Sequence, residues 1–240
     1  MKAESVDISR DGTHSLPKRH HHWWRWVLGG VLAVVVIVVA TAAIFVKLQA
    51  SPPPLTLPQR ATVAPAGSLD GTWHVVAGSV AGFRVQETAA GFSNDMVGRT
   101  NAVAGTAVIS DNRITAARFR IDLATVTVNG KTESQFESSL DTSAYPYATI
   151  DLIDSTRLSS GFTSGATISV PATSRLTLHG VSHTVTFAVS LRRDGSEVQA
   201  TGAISVVFSR WDIVGPHNIG ALGSLANHGV AEFLLQLQRP

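Results

Sequence analysis

The sequence predicts a mainly β protein, with an antiparallel sheet closed into a barrel and preceded by a single transmembrane helix. Three observations support this fold class. From Leu69 onward apolar and polar residues alternate with a period of two, turn-forming residues separate the alternating stretches, and residues 27–46 form one uncharged apolar run. The chain has 240 residues and 44% of them are apolar, which is enough for a domain with its own core.

Residues 23–47 are the predicted transmembrane helix, and residues 1–22 are expected to form a disordered, basic tail. The apolar run at a rise of about 1.5 Å per residue spans about 30 Å, the hydrocarbon thickness of a bilayer. Tryptophans, which favour the headgroup layer, and basic residues stand at its N-terminal side: Trp23, Trp24, Trp26, Lys18, Arg19 and Arg25. This asymmetry predicts a single-pass protein of the cell membrane, with a cytoplasmic N-terminus and an extracytoplasmic C-terminal domain. A cleaved secretory signal is the alternative, although "KLQAS" lacks the small-x-small cleavage pattern.

Residues 48–68 are expected to form a proline-rich linker. Five prolines lie between residues 49 and 68, and the stretch has no apolar periodicity. Proline-rich segments are extended and semi-rigid. We therefore expect a spacer that holds the domain of residues 69–240 off the membrane.

The charge distribution argues against nucleic acid as a partner. Residues 1–68 carry seven Lys and Arg against three Asp and Glu, whereas residues 69–240 carry twelve against fourteen. The folded domain is therefore mildly acidic, while a nucleic-acid binder needs basic charge on its folded surface. The chain has no cysteine, which excludes disulfides, thiolate catalysis and cysteine-ligated zinc.

Five stretches of the C-terminal domain alternate as strands with one apolar and one polar face, which is typical of antiparallel sheets with one solvated side. They are AGFRVQE (81–87), AARFRIDL (116–123), HTVTFAVSL (183–191), VQATGAISVVF (198–208) and AEFLLQL (231–237). Turn sequences lie at residues 110–113 and 192–196, and one helix is expected near residues 129–140. Closure into a barrel would remove the exposed edges of an open sheet; a sandwich is the alternative.

The stretch "LTLHGVSHTVTF" (176–187) contains His179 and His183, four residues apart. Such a pair binds metal when both side chains share one face of a helix. Here the flanks alternate as strands around Gly180, so the two rings are expected to leave on different faces or to flare at the tip. No carboxylate lies within the segment as a third ligand. We interpret the stretch as a β-hairpin without a metal.

This hairpin also carries a resemblance to the YceI-like family. RLTLHGVSHTVTFAV resembles the family's L-T-[IL]-x-G-[VT]-[ST] hairpin and the Val/Phe strand after it. Four further segments fit in the same order along the chain: GSVAGFRVQE (78–87), VGRTNAVAGTAVI (97–109), LDTSAYPYATIDL (140–152) and ATGAISVVFSRWDIVGP (200–216). Together the segments extend the resemblance over nearly all of residues 69–240.

The resemblance implies a lipocalin-like antiparallel β-barrel that holds a polyisoprenoid chain or an isoprenoid quinone in its interior, with no catalysis and no other cofactor. Two positions depart from the family pattern. Gly78–Ser79 stands where a histidine commonly precedes the serine, and Lys131–Thr132 stands where an Arg-Asp pair is usual. Headgroup contacts at those two positions are therefore not expected here.

The alternation and the resemblance together nominate an apolar lining for the barrel. An eight-stranded barrel is either filled by side chains or wide enough for one slim ligand. The candidates are Phe83, Val85, Phe119, Ile121, Phe136, Ile150, Leu152, Leu176, Leu178, Phe187, Ile204, Phe208, Trp211 and Phe233.

Residues 209–229 are expected to form a long, glycine-rich loop without a strand, and loops of that length are usually functional or disordered. We expect the loop to cap the barrel mouth with Trp211 over the opening. Arg210 is the candidate for a polar headgroup, although a simple ion pair with Asp212 is the alternative.

Three classes of function are compatible with a β domain of this kind. The sequence has no G-x-S-x-G, G-x-G-x-x-G, P-loop or H-E-x-x-H motif, so an enzyme is disfavoured. A lipid-binding protein predicts an elongated apolar cavity. An extracytoplasmic module for protein interaction predicts a barrel filled with side chains.

Overall fold

The computed structural model describes residues 29–38, 51–59, 63–89, 92–128, 130–215 and 223–240. The chain divides into two compact units, Met1–Ala50 and Ser51–Pro240. In the first unit, residues 29–38 form a helix (α1) with exposed side chains. Over the described ranges, no helix combines the length and the apolar character needed to cross a membrane. The predicted tail and the rest of the predicted span lie outside the described residues.

The second unit is built mainly from strands, as predicted. Two short helices, α2 (Ser134–Leu140) and α3 (Ser160–Thr163), interrupt them. The strands are β1 (Gly71–Val75), β2 (Val80–Ala89), β3 (Phe92–Thr100), β4 (Val103–Ser110), β5 (Arg113–Asp122), β6 (Thr127–Val128), β7 (Tyr147–Leu152), β8 (Thr156–Arg157), β9 (Ile168–Leu178), β10 (Val181–Asp194), β11 (Glu197–Val207), β12 (Gly223–Leu225) and β13 (His228–Gln238).

Eight of these strands close into an antiparallel barrel. Their order around the ring is β1-β4-β5-β7-β9-β10-β11-β13, and β13 pairs with β1 to complete it. The predicted barrel is therefore confirmed, and the alternative of two packed sheets is excluded. Strand β2 pairs with β13 beyond the point where β1 ends, so β1 and β2 share one edge of β13. Strands β3 and β6 extend the sheet from β2.

Tight turns with left-handed backbone connect the hairpins at the predicted places. Asp111 and Asn112 both have positive φ between β4 and β5. His179 and Gly180 have φ of 51° and 73° between β9 and β10, as expected for a two-residue hairpin loop. A Cβ on Gly180 would lie 2.5 Å from the ring of Tyr145, so glycine is required there for both space and conformation.

Two predicted elements differ from the structure. The helix expected over residues 129–140 begins only at Ser134. The stretch 209–229, expected to lack strands, includes β12 and the first residues of β13. Strand β12 pairs with residues 87–89 of β2 through its backbone. Backbone pairing needs no apolar alternation in the side chains, so the sequence pattern does not report it.

The proline-rich segment lies on the outside of the barrel and belongs to the same compact unit. We call residues 51–59 and 63–67 the strap. The backbone of Leu55 donates to Glu232 Oε2 at 2.9 Å and accepts from the Thr201 hydroxyl at 2.9 Å. Arginines of the barrel donate to strap carbonyls, Arg84 to Pro52 at 2.6 Å and Arg192 to Pro58 at 2.8 Å. Extended proline-rich backbone has no internal hydrogen bonds, so its carbonyls are available to these donors.

Candidate functional site

The barrel encloses a cavity of about 110 Å³. Its walls are hydrocarbon or aromatic, apart from the hydroxyls of two residues, Thr156 and Ser174. The lining comes from every strand of the ring, together with Ala81 of β2, Thr156 of β8 and Phe162 of α3. It comprises Trp73, Ala81, Val103, Ala107, Ile109, Ile114, Ala117, Phe119, Ile121, Ile150, Leu152, Thr156, Phe162, Val170, Ala172, Ser174, Phe187, Val189, Leu191, Val198, Ala200, Phe233, Leu235 and Leu237.

The cavity occupies the half of the barrel that lies toward the β4–β5 and β10–β11 turns. Phe162 and Trp73, 0% and 2% exposed, belong to the core cluster at this end. The Trp73 indole donates to the carbonyl of Leu69 at 2.9 Å, which orients the ring. A buried water needs roughly 10–15 Å³ of such space, so 110 Å³ holds roughly ten non-hydrogen atoms. That is about two isoprene units, and a longer chain fits only if core side chains move aside.

The opposite half of the barrel is filled by a second core cluster. Trp211, Ile204, Leu176 and Leu123 belong to it, and Trp211 is fully buried. Helix α2 covers this half, and Phe136 stacks on Phe83 with ring centroids 4.7 Å apart. The interior is therefore solid at one end and hollow at the other.

The two histidines of the β9–β10 hairpin hold the short helical turn Phe208–Trp211. His179 Nδ1 donates to the carbonyl of Trp211 at 3.0 Å, and His183 Nε2 donates to the carbonyl of Arg210 at 2.6 Å. The His183 ring also meets the Trp211 ring edge-on at 4.9 Å. Both rings thus converge on one turn, whereas the sequence pattern indicated different faces or a flared tip. Leu176 pairs with His183 across the hairpin, which turns His183 toward the barrel interior.

These contacts account for the four-residue spacing without a metal. Among the described residues no group of three or more His, Cys, Asp or Glu side chains is placed to hold an ion. The expectation of a metal-free hairpin stays a prediction.

His183→Ala is expected to lower the free energy of unfolding by about 1–2 kcal/mol. The substitution removes the hydrogen bond to the Arg210 carbonyl and the contact with the Trp211 ring. Urea unfolding of the variant and the parent, each with and without added Zn²⁺, measures the effect. Stabilisation of the parent, but not of the variant, by Zn²⁺ would show that the histidines bind metal after all.

The comparisons with known proteins agree with this geometry. The model of the YceI-like domain matches residues 73–230. The chain belongs to the YceI-like family. The match covers the ring strands from β1 to the start of β13, so the YceI-like region and the barrel coincide. A search of curated proteins finds no match to this sequence.

Two solved structures share the YceI-like fold of this chain. A polyisoprenoid-binding domain from Saccharophagus degradans, implicated in plant cell wall breakdown, superposes with a TM-score of 0.56 at 16% identity; the match covers 71% of this chain and 99% of that domain. BcnA from Burkholderia cenocepacia superposes with a TM-score of 0.50 at 18% identity over 68% of this chain and 98% of BcnA. At these identities the likeness concerns the fold.

The YceI-like barrel brings six of the fourteen predicted lining residues to the cavity, and the other eight lie elsewhere. The cavity residues are Phe119, Ile121, Ile150, Leu152, Phe187 and Phe233. Leu176, Leu178, Phe136, Ile204, Phe208 and Trp211 belong to the second cluster or pack against it, and Phe83 and Val85 lie on β2. The alternation of apolar and polar residues predicts that these side chains point into the barrel, but it does not show which half of the barrel interior is hollow.

Trp211 and Arg210 differ from their expected places at a barrel mouth. Trp211 is buried in the second cluster and does not line the cavity. The Arg210 guanidinium lies over the Trp211 ring, 5.4 Å from its centroid, on the outside. Among the described ion pairs, none joins Arg210 to Asp212. Residues 216–222 of the expected lid lie outside the described residues.

Several cavity residues were not among the fourteen candidates. Six of them lie on the same strand face as a predicted lining residue, so the alternation pattern could have identified them: Val189, Leu191, Val198, Ala200, Leu235 and Leu237. Trp73 and Phe162 had no such signal, because β1 and α3 are short and do not show periodicity. Thr156 and Ser174 were also missed, since a lone hydroxyl residue in a strand is ordinarily read as solvent-facing.

Proposed function

We propose that this protein holds a polyisoprenoid chain or an isoprenoid quinone inside its barrel and does so at a membrane. The hydrocarbon-walled cavity inside the barrel is the observation that carries the proposal. Burial of apolar surface contributes about 25 cal/mol per Å², so a prenyl chain binds such a space without any charged contact. The polyisoprenoid-binding domain of Saccharophagus degradans, which has the same fold, supports this ligand class.

The cavity wall favours binding over chemical conversion. Its lining offers two hydroxyls and no carboxylate, imidazole or amine. The Thr156 hydroxyl donates to the carbonyl of Pro171 at 3.4 Å, and Ser174 is 4% exposed on the neighbouring strand. We propose that a single polar group of the ligand, such as a prenol hydroxyl or a quinone carbonyl, lies against these two residues.

The proposal includes anchoring by residues 23–47 and an extracytoplasmic position for the barrel. Support comes from the apolar run, the tryptophans at its edge and the basic residues before it. A barrel tethered in this way suits short-range handling of lipid at the membrane surface, as carrier, store or sensor.

Native mass spectrometry of the full chain, released from detergent micelles, tests the proposal. We expect a mass increment that fragments as an isoprenoid, or uptake of one when a polyprenol or prenyl quinone is added to the purified protein. A protein that carries no lipid and takes up neither compound would favour the interaction module.

A further inference from the structure

We propose that the outer face of strands β5, β7, β8 and β9 docks on the anionic headgroups of a lipid bilayer. We call this surface the basic face. It is an interaction surface separate from the cavity, and the docking can fail while the cavity still binds its ligand.

The basic face concentrates cationic side chains. Ile114, Phe119, Thr156 and Ser174 line the cavity, so their neighbours in sequence point outward because side chains alternate along a strand. The outward set holds the arginines Arg113, Arg118, Arg120, Arg157 and Arg175. Asp122 and Asp151, which follow the lining residues Ile121 and Ile150, and Asp154 of the β7–β8 connection add three carboxylates. The face therefore carries +2 (five minus three), whereas residues 69–240 as a whole carry −2.

Other arginines of the barrel are committed to the strap. Arg84, Arg99, Arg192 and Arg193 all donate to strap carbonyls. Of the twelve Lys and Arg residues in 69–240, these four are occupied, and five of the remaining eight lie on the basic face. In the ring of eight strands, β13 is four positions from β7. The side of the barrel that the strap covers is therefore opposite the basic face.

The charges on the basic face remain accessible to a partner. The Arg118 side chain is 78% exposed although it pairs with Asp151 across β5 and β7. The hydrogen bond and the charge of Asp151 raise the pKa of Arg118. Arg120 lies over the ring of Tyr147 at 4.5 Å, and Arg175 is exposed on β9.

Exposed apolar and aromatic groups lie on β7 or in the loops on either side of it, and they favour a bilayer over a soluble polyanion. Tyr145, Tyr147 and Ile153 are 41%, 42% and 45% exposed. Tyrosine rings prefer the headgroup layer of a bilayer, and an exposed isoleucine gains by inserting below it. Arginines near an anionic membrane surface are attracted to it. The combination therefore matches an anionic bilayer surface.

Docking by this face would place a break in the barrel wall against the lipid. Strand β5 pairs with β7 from Arg118 to Asp122 and with β8 at Arg113 and Ile114, while Thr115–Ala117 pair with neither. Residues 153–155 connect β7 to β8 beside this gap. Leu152 and Thr156, on either side of the connection, line the cavity. The basic face thus borders the cavity at a gap in the backbone pairing of its wall.

A single fluorescent label tests the docking, because the chain has no cysteine of its own. Ile153→Cys is labelled with an environment-sensitive dye in the full chain, which is placed in vesicles of phosphatidylcholine alone or with phosphatidylglycerol. We expect a blue shift of the emission with phosphatidylglycerol only, and its loss at about 1 M salt, where the Debye length is about 3 Å. Val207→Cys, exposed on β11, is expected to show no shift.

Charge variants distinguish an effect of the basic face on the emission shift from an effect of the protein's net charge. Arg120→Gln with Arg175→Gln is expected to abolish the shift, whereas Lys131→Gln with Arg239→Gln, which removes the same charge elsewhere, is expected to retain it. Three results would overturn the proposal. The first is an equal loss of the emission shift in both double variants, the second is a shift in vesicles of phosphatidylcholine alone, and the third is a shift with soluble RNA but not with vesicles. Isoprenoid retention by the same variants, read by native mass spectrometry, shows separately whether the cavity still functions.

Discussion

Ala200→Phe is expected to abolish retention of an isoprenoid chain while the barrel remains folded. Ala200 lines the cavity between Leu191 and Leu235, its partners on the neighbouring strands. A phenyl ring adds six carbons, which fill more than half of a space that holds roughly ten non-hydrogen atoms. We expect at least a tenfold loss of affinity for a prenyl quinone, measured by titration and by the fraction of lipid-bound protein in native mass spectra.

Ala203→Phe is the matched control for this substitution. Ala203 lies on the same strand but is exposed on the outer face, so the same change leaves the cavity unaltered. We expect its affinity to equal that of the parent. Overpacking by Ala200→Phe costs up to about 1–3 kcal/mol, and far-UV circular dichroism confirms that the variant is folded. Undiminished binding by a folded Ala200→Phe variant would place the ligand outside the cavity.

Glu232→Ala is expected to lower the free energy of unfolding by about 3–5 kcal/mol. The Glu232 side chain is 3% exposed and lies 2.6 Å from Arg99 Nη1 and 3.5 Å from Arg84 Nη2. It also accepts from the backbone of Leu55 in the strap. Its removal leaves the partly buried guanidinium of Arg99 without a carboxylate partner, whereas Arg84 keeps its pair with Asp95 at 2.9 Å. Loss of one partner from a buried ion pair is strongly destabilising. Urea unfolding followed by circular dichroism measures the change.

The exposed pair Arg118–Asp151 is the control for the buried cluster. Asp151→Asn removes a carboxylate from a partner whose side chain is 78% exposed, and surface pairs of this kind contribute little. We expect no measurable change in stability. We also expect Glu232→Ala, but not Asp151→Asn, to speed hydrogen exchange at the Leu55 amide. Equal stability of the two variants would mean that the position of the strap does not depend on the ion pairs of Glu232 with Arg84 and Arg99.

Side-chain alternation predicted the long strands well because it reports directly which face is buried. The stretches at 81–87, 183–191 and 231–237 all lie within observed strands. Short elements such as β1, β12 and α3 were not predicted, since three to five residues are too few to show a period. Closure of the ring was inferred from the cost of exposed edges, and the pairing of β13 with β1 confirms it.

The strap and the hollow half of the barrel depend on information that local sequence does not carry. Five prolines predicted an extended chain, but they did not predict its partners, which are arginines 30 or more positions away. Likewise, Ile150 and Leu176 are adjacent across β7 and β9, yet the cavity touches only the former. Whether a space stays open depends on how several strands pack together.

A crystal structure with a prenol carrying bromine at its chain end would show whether the ligand lies inside the barrel. We expect an anomalous peak in the barrel interior, among Phe119, Phe187 and Leu191, with the alcohol near Thr156 and Ser174. A bromine found only on the outer surface, with these side chains closed over an empty interior, would contradict it.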